Sequence, residues 1–198
     1  MLNTWDERRD LIVPGDQDKT LSFCVEHFIA ICSRAIQDHG QFFVALSGGS
    51  TPKALFERLC RPPYASQINW QKVHLFWSDE RSVPPDDKES NYHMAMEAGL
   101  KNMPIPPSHI HRMHAEKEIE QHAKAYEETI LHVLGDSPFD LIMLGLGEDG
   151  HTASLFPNTE GLNNQDSLII ANYVPQKSTW RMSMTFSSYH TPSIDDAI

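Results

Sequence analysis

Three short apolar runs, each followed at once by a polar or glycine-rich turn, constrain the fold of this chain more than any other feature. They are Phe42–Leu46, Val73–Trp77 and residues 139–144. Each run has the length of a strand that is buried on both faces. Helices are predicted at 18–39, from a cap at Ser90 to about residue 102, and at 116–134, and two further strands at 168–174 and 181–186. This alternation of strands and helices predicts an α/β fold, with a mostly parallel sheet that has helices on both faces. Ligands bind at the strand ends of such sheets, so the three turns are the first candidates for a binding site.

The turn after the third run carries a candidate catalytic pair, Asp149 and His151. Three glycines around the pair let the backbone turn sharply and come close to a ligand. Residues 152–156 are predicted to begin a helix. Histidine is the side chain best suited to proton transfer near neutral pH, so we expect His151 to be a general base. Asp149 is expected to orient its ring, with Asp79 as the alternative. An isolated Asp-Gly-His sequence is more often a turn and a cap, so the hypothesis depends on the other turns.

The turn after the first run is a candidate phosphate site. Its residues are Ser47, Gly48, Gly49, Ser50 and Thr51. Thr51 suits an N-cap and Pro52 suits the first helical position, which predicts a helix from there to Cys60. Free backbone N–H groups and the positive end of the helix dipole would then face a phosphate in the turn. The alternative is an ordinary strand-to-helix corner.

The turn after the second run contains Asp79 and Arg81, and both are candidates for the same binding site. Arg81 offers a planar fork of donors that suits a phosphate group. Arg181, on a later predicted strand, is expected to help, and Lys177 is a weaker candidate. Taken alone, the Asp-Glu-Arg sequence favours a surface salt bridge. Parallel strands, however, would bring the three turns to one edge of the sheet.

Four segments together resemble one known family. ALSGGSTP, FWSDERSVPPDDKESNY, LGLGEDGHTASLFP and RMSMT occur in this order and at these spacings. They resemble the 6-phosphogluconolactonases, relatives of glucosamine-6-phosphate isomerase/deaminase, from about residue 21 to about residue 185. The resemblance implies a Rossmann-like fold and hydrolysis of 6-phospho-D-glucono-1,5-lactone to 6-phosphogluconate in the pentose phosphate pathway. It implies a small phosphosugar lactone as the substrate and no metal or organic cofactor.

Two alternatives to lactone hydrolysis remain open. The first is an isomerase/deaminase, which shares the Asp-Gly-His turn and the acidic residue after the second strand. The resemblance implies a Glu just before the proline of this segment in the deaminases, whereas this chain has Phe156. A phenyl ring cannot transfer protons, so the lactonase is favoured. The second alternative is a non-catalytic phosphosugar-binding protein.

Composition limits the partners that the chain can have. At 198 residues we expect one α/β domain covering residues 1–198. The net charge of −11 argues against nucleic acid or an acidic membrane surface as the main partner. Cys24, Cys32 and Cys60 lack a CxxC spacing and are expected to be reduced core residues. No signal peptide or membrane span is visible in the sequence, so a cytoplasmic enzyme is expected.

Eleven histidines raise the question of a metal site. His109 and His111 would face the same way on a predicted short strand at 109–113, with His114 close by. No carboxylate or cysteine stands at a familiar ligand spacing, so no metal is expected.

The end of the chain departs from the family pattern. Residues 186–198, FSSYHTPSIDDAI, match it poorly, and we expect the domain to lack a C-terminal strand and helix. A missing strand would leave a sheet edge unpaired or covered by a partner chain. Phe186, Tyr189 and Ile194 would be the apolar groups available for that contact. The sequence does not determine the oligomeric state.

Overall fold

The protein has an α/β fold, seen in a computed structural model that describes residues 2–6 and 9–189. The strands are β1 (Leu2–Asp6), β2 (Arg9–Ile12), β3 (Phe42–Leu46), β4 (Val73–Trp77), β5 (Asp79–Arg81), β6 (Leu141–Ile142), β7 (Ile169–Val174) and β8 (Thr179–Met184). The α-helices are α1 (Gln17–His39), α2 (Ser50–Leu59), α3 (Asn91–Glu97) and α4 (Ile119–Leu134).

A parallel sheet of order β4–β3–β6 forms the centre of the fold. All five residues of β3 are buried, as a strand covered on both faces requires. The predicted strands at β3 and β4 are confirmed. The third run forms a strand of only two residues, β6. Backbone hydrogen bonds from Asp140 N to Phe43 O (3.0 Å) and from Met143 N to Ala45 O (2.9 Å) extend its pairing with β3 on both sides.

An antiparallel sheet of order β5–β8–β7 adjoins the parallel one. The two sheets meet at Ser78, whose N–H donates to Leu46 O (2.8 Å) and whose carbonyl accepts from Met184 N (2.8 Å). The strands predicted at 168–174 and 181–186 are found as β7 and β8, but β8 begins and ends two residues earlier than predicted. These two strands pair in an antiparallel arrangement, which the alternation of strands and helices did not predict.

The longest helix, α1, is positioned by its caps and its apolar face. Asp16 accepts a bond from Lys19 N (2.9 Å) at the N-terminus, and Gly40, at φ 87°, ends the helix. The face toward the sheet includes Phe28, whose ring packs edge-on against Phe42 at 5.3 Å between centroids. Burying a side chain of this size stabilises the fold by about 1.5–3 kcal/mol. The helix predicted here is therefore confirmed within one residue.

Two predicted elements are absent from the structure. Residues 152–156 do not begin a helix, because Ala153 has φ 48° and Thr152 bridges Leu155 in a tight turn. Residues 109–113 are not a strand, because Ile110 makes only an isolated bridge to Leu75.

The ends of two other predicted helices also differ. The helix capped by Ser90 ends at Glu97 rather than near residue 102, because Gly99, at φ 133°, breaks it before a short 3-10 turn. Helix α4 begins at Ile119, three residues later than predicted, because Glu118 is left-handed at φ 45°.

The expectations about the end of the chain fall largely outside the described residues. Ile194, the side chain of Tyr189 and residues 190–198 are not described. Phe186 is described and is 41% exposed. No helix within the described ranges is both long enough and apolar enough to cross a membrane.

Candidate active site

One face of the antiparallel sheet gathers the polar side chains of the candidate site. Asp79 stands opposite Ser183 in the ladder of β5 and β8, and Arg81 stands opposite Arg181. Side chains two residues apart on a strand point to the same face, so all four lie on one face. Asn172 of β7, which pairs with Arg181, belongs to it as well.

Arg81 and Arg181 form a pair of like charges on this face. Like charges directly opposite each other in a ladder are destabilising unless something neutralises them. Burial, and then the charge of Arg81, lowers the pKa of Arg181. The buried Nε atom of Arg181 has no hydrogen-bond partner among the described residues, while Arg81 Nη1 donates to Glu89 O. The charges of Asp79, Glu80 and Glu89 oppose the fall in the pKa of Arg181. An anion beside the two guanidinium groups would supply the missing acceptor.

The glycine-rich turn after β3 lies directly beside this face. A Cβ on Gly48 would stand 1.9 Å from Asn91 Oδ1, so only glycine fits at this position. The amide of Asn91 in turn donates to Asp79 O (2.9 Å) and Asp79 Oδ1 (3.2 Å). Asn91 therefore joins two of the three turns that the sequence predicted to meet.

The turn itself presents backbone donors at the start of α2. Ser47 is buried, whereas Ser50 and Thr51 are exposed. The N-cap is Gly49, at φ 103°, with no side-chain cap, so the prediction of Thr51 as N-cap is wrong. Thr51 lies inside the first helical turn instead. No acidic residue occupies that turn, which leaves its N–H groups and the helix dipole available to an anion.

Glu80 is a site residue that sequence reasoning missed. It is 3% exposed, and its carboxylate accepts from Arg81 N (2.8 Å), Asn91 N (2.7 Å), Tyr92 N (2.8 Å) and Ser90 Oγ (3.0 Å). It thereby holds the first turn of α3 against β5. Burial raises the pKa of Glu80 and these bonds oppose the rise. The Ser90 cap was visible in the sequence, but its carboxylate partner ten residues earlier was not.

The predicted pair Asp149 and His151 is formed in the structure. Nδ1 of His151 bonds Oδ1 of Asp149, and the His151 backbone N–H donates to the same oxygen at 3.3 Å. The bond to His151 is the main cause that lowers the pKa of Asp149. Because Nδ1 is occupied, Nε2 is the ring atom left to accept a proton from water. The turn lies at the surface, and His151 keeps 27% of its side chain exposed.

The chain after His151 is fastened to the arginine-bearing face. Ser154 Oγ donates to Asp79 Oδ2 (2.7 Å), and Ser154 N donates to Ser183 Oγ (3.1 Å). Asp79 is thus bonded to Ser154 and Asn91, and the carboxylate that meets the His151 ring belongs to Asp149. The ring of Phe156 stacks on the His151 ring, with 3.9 Å between centroids and 18° between planes.

Lys177 is the least integrated of the predicted residues. It is exposed in the short turn between β7 and β8. Among residues 2–6 and 9–189, its ammonium group has no hydrogen-bond or ion-pair partner. Thr152, which sequence reasoning also missed, has a buried Oγ1 with no hydrogen-bond partner in the part of the chain that the structure describes. Within these residues, no group of three histidine, cysteine or carboxylate side chains is arranged to hold a metal ion.

Comparisons with known proteins identify the family of the chain. The chain matches the family described as glucosamine-6-phosphate isomerases/6-phosphogluconolactonase over residues 15–191. It is 44% identical over 142 residues to a 6-phosphogluconolactonase of Haemophilus influenzae, and the matched region covers 72% of this chain and 61% of that protein. It is 39% identical over 189 residues to the 6-phosphogluconolactonase of Chlamydia pneumoniae, which covers 96% of this chain and 72% of that protein.

Solved structures give the same result. A 6-phosphogluconolactonase from Thermotoga maritima superposes with a TM-score of 0.76 at 31% identity, covering 86% of this chain and 75% of that one. The chain thus spans only part of the length of the relatives that it matches. Since the family match covers most of the sequence, the chain belongs to the glucosamine-6-phosphate isomerase/6-phosphogluconolactonase family.

Proposed function

We propose that this chain hydrolyses 6-phospho-D-glucono-1,5-lactone to 6-phosphogluconate. The observation that carries the proposal is the exposed Asp149–His151 pair, whose loop is fastened to the face that bears Arg81 and Arg181. A base and an anion site on one surface suit a substrate with a reactive ester at one end and a phosphate at the other. The names of the relatives in Haemophilus influenzae and Chlamydia pneumoniae support the same reaction.

In the proposed reaction water attacks the lactone carbonyl carbon, C1. His151 Nε2 takes a proton from that water as the new C–O bond forms. When the bond between C1 and the ring oxygen breaks, the imidazolium returns the proton to that oxygen. Asp149 stabilises the imidazolium and fixes the ring. The products are a hydroxyl group and a carboxylic acid, which ionises at neutral pH, so one water is consumed and His151 ends as it began.

The phosphate would be held at the other end of the site. Arg81 and Arg181 would provide charge-assisted hydrogen bonds, and the first turn of α2, with Ser50 and Thr51, would provide backbone N–H groups. Such a local cluster is needed because the whole chain carries a net charge of −11. No step of this mechanism requires a metal or an organic cofactor.

The structure of the loop disfavours the isomerase/deaminase alternative. Phe156, which stands where the resemblance places a deaminase glutamate, is only 6% exposed and its ring lies against His151. A proton-transferring group is therefore replaced by an apolar ring in contact with the base. Loss of glucosamine 6-phosphate in the presence of the enzyme would reverse this preference.

The test is the rate of lactone disappearance, corrected for spontaneous hydrolysis. We expect hydrolysis by the unaltered chain, and a kcat lower by about 10²–10⁴ in His151→Ala with the fold intact. His132→Ala, which removes an exposed histidine of α4, is the matched control and should retain full activity. Near-normal hydrolysis by His151→Ala would reject the base assignment. Binding of 6-phosphogluconate with hydrolysis at the solvent rate would identify a non-catalytic phosphosugar-binding protein instead.

A further inference from the structure

The segment that follows His151 is anchored by a buried hydrogen-bond network. Asn172 of β7 is 2% exposed and bonds three residues of this segment. Its Nδ2 donates to Ser154 O (2.9 Å) and Thr159 Oγ1 (3.0 Å), and its Oδ1 accepts from Gly161 N (3.2 Å). Every polar atom of the Asn172 amide thus has a partner in the segment. Such fully satisfied buried networks make a conformation rigid.

The network continues through Ser154 and Thr159. Ser154 is also 2% exposed, and its hydroxyl and backbone N–H bond Asp79 and Ser183. Thr159 Oγ1 donates to Phe156 O at 2.7 Å. The residues on both sides of Phe156 are therefore fixed to the antiparallel sheet, which leaves the Phe156 ring little freedom of position.

The fixed ring determines where the imidazole can lie. Phe156 packs against one side of the His151 ring, with 3.9 Å between centroids, and Asp149 bonds Nδ1. The stack sets the plane of the imidazole and the hydrogen bond sets its rotation in that plane. Together they aim Nε2 in one direction. A general base must keep its position and direction relative to the reacting atoms, because a displacement of about 1 Å can lower the reaction rate about a hundred-fold.

We propose that Ser154 and Asn172 are positioning residues for His151, and that they act through the ring of Phe156. Neither residue needs to touch the substrate, since both are buried beneath the loop. The inference rests on the proposed base role of His151. It adds to that role a set of buried polar residues whose loss would misdirect the imidazole without removing the groups proposed to hold the phosphate, which are Arg81, Arg181 and the first turn of α2.

The test compares Ser154→Ala, Asn172→Ala and Phe156→Leu in kinetics and in NMR. We expect kcat to fall about ten- to a hundred-fold in each variant while KM changes less than about threefold. The double variant Ser154→Ala/Phe156→Leu should lose no more than the larger single loss, because both changes break one linkage. The ring-proton signals of His151, displaced by the neighbouring Phe156 ring, should move toward their free-histidine positions in Ser154→Ala and Asn172→Ala.

Thr185→Val is the control for stability loss without misalignment. Thr185 is buried directly after the end of β8, and its hydroxyl donates to Ser167 O (2.7 Å), away from the network. This variant should lower the melting temperature yet leave kcat and the His151 signals unchanged. If Ser154→Ala does not fold, Asn172→Ala tests the positioning role by the same measurements.

Two results would overturn the positioning role. One is a set of His151 signals in Ser154→Ala and Asn172→Ala that match the unaltered chain. The other is strictly additive losses in the double variant. The NMR readout does not depend on catalysis, so it still tests the placement of the ring if lactone hydrolysis itself is absent.

Discussion

Gly147 lies directly against the ring of His151. A Cβ added to Gly147 would stand 2.2 Å from both Nδ1 and Cε1 of that ring, and 3.0 Å from Asp149 Oδ1. Glycine is needed at this position because a side chain would collide with the imidazole, and not because of the backbone conformation of the turn. By contrast, a Cβ on Gly145 would meet no atom of the described residues within 4 Å. Two glycines of one turn therefore have different roles, and the difference can be measured.

We predict that Gly147→Ala lowers kcat by about a hundred-fold, because the methyl group forces the His151 ring out of its bond with Asp149. The fold should be retained, since the turn lies at the surface. Gly145→Ala is the matched control and should lose at most a few-fold. Steady-state lactone hydrolysis together with circular dichroism checks both variants. Equal activities in the two variants would mean that the ring position observed here is not the active one.

The arginine pair predicts a phosphate-specific loss of binding. Arg181→Ala or Arg81→Ala should weaken binding of 6-phosphogluconate by roughly 1.5–3 kcal/mol, the range for charge-assisted hydrogen bonds. Binding of unphosphorylated gluconate should barely change. Arg34→Ala, at an arginine whose side chain is 79% exposed on α1, is the control for the change in net charge. Titration calorimetry with both ligands measures the difference, and equal losses for the two ligands would assign the arginines to the fold.

The site residues that could be predicted are those carried by local pattern. Asp149 and His151 stand two residues apart in a glycine-rich turn, so their pairing needed no knowledge of the rest of the fold. The same holds for β3 and β4, which are short apolar runs between clear turns. Helix α1 was predictable because its apolar residues repeat at the helical period and Gly40 ends it.

The parts that sequence did not reveal depend on contacts between distant segments. Asp79 meets Ser154 across 75 positions, and Ser154 meets Ser183 across 29. Such bonds have no local signature. They also explain the wrong helix at 152–156: the hydrogen bonds of Ser154 to the antiparallel sheet stabilise a tight turn that overrides helical propensity.

Glu80 provides a prediction about stability. Four donors converge on its carboxylate, three of them backbone N–H groups, so Glu80→Gln must place an amide NH₂ group against at least one donor. Leaving a buried donor unpaired costs about 1–3 kcal/mol, and we expect a loss of unfolding free energy of that size. Glu97→Gln, at an exposed carboxylate paired with Lys101, should lose far less. Urea denaturation measures both, and equal losses would show that the buried bonds contribute little.

The histidines beside β4 predict how stability depends on pH. His74 stacks on His109 with 3.7 Å between ring centroids, and its Nδ1 lies 3.3 Å from His111 Nε2. Burial, then the charges of His109 and His111, lowers the pKa of His74 from 6.5 to about 4. Burial, then His109, lowers the pKa of His111 to about 4 as well.

A histidine whose pKa is lower in the folded state binds protons more readily when the chain is unfolded. Its stabilising contribution is therefore complete above pH 6.5 and is lost as the pH falls toward 4. We predict that the melting temperature falls between pH 7 and pH 5, and that His74→Phe, which keeps a stacking ring but cannot titrate, flattens this dependence. Glu80, whose raised pKa makes stability change with pH in the opposite direction, is present in both chains, so its contribution cancels in the comparison. His132→Phe, the same change at an exposed position of α4, should not flatten it. Thermal melts across this pH range measure the effect. Parallel curves of melting temperature against pH for His74→Phe and the unaltered chain would show that these stacked histidines do not govern acid stability.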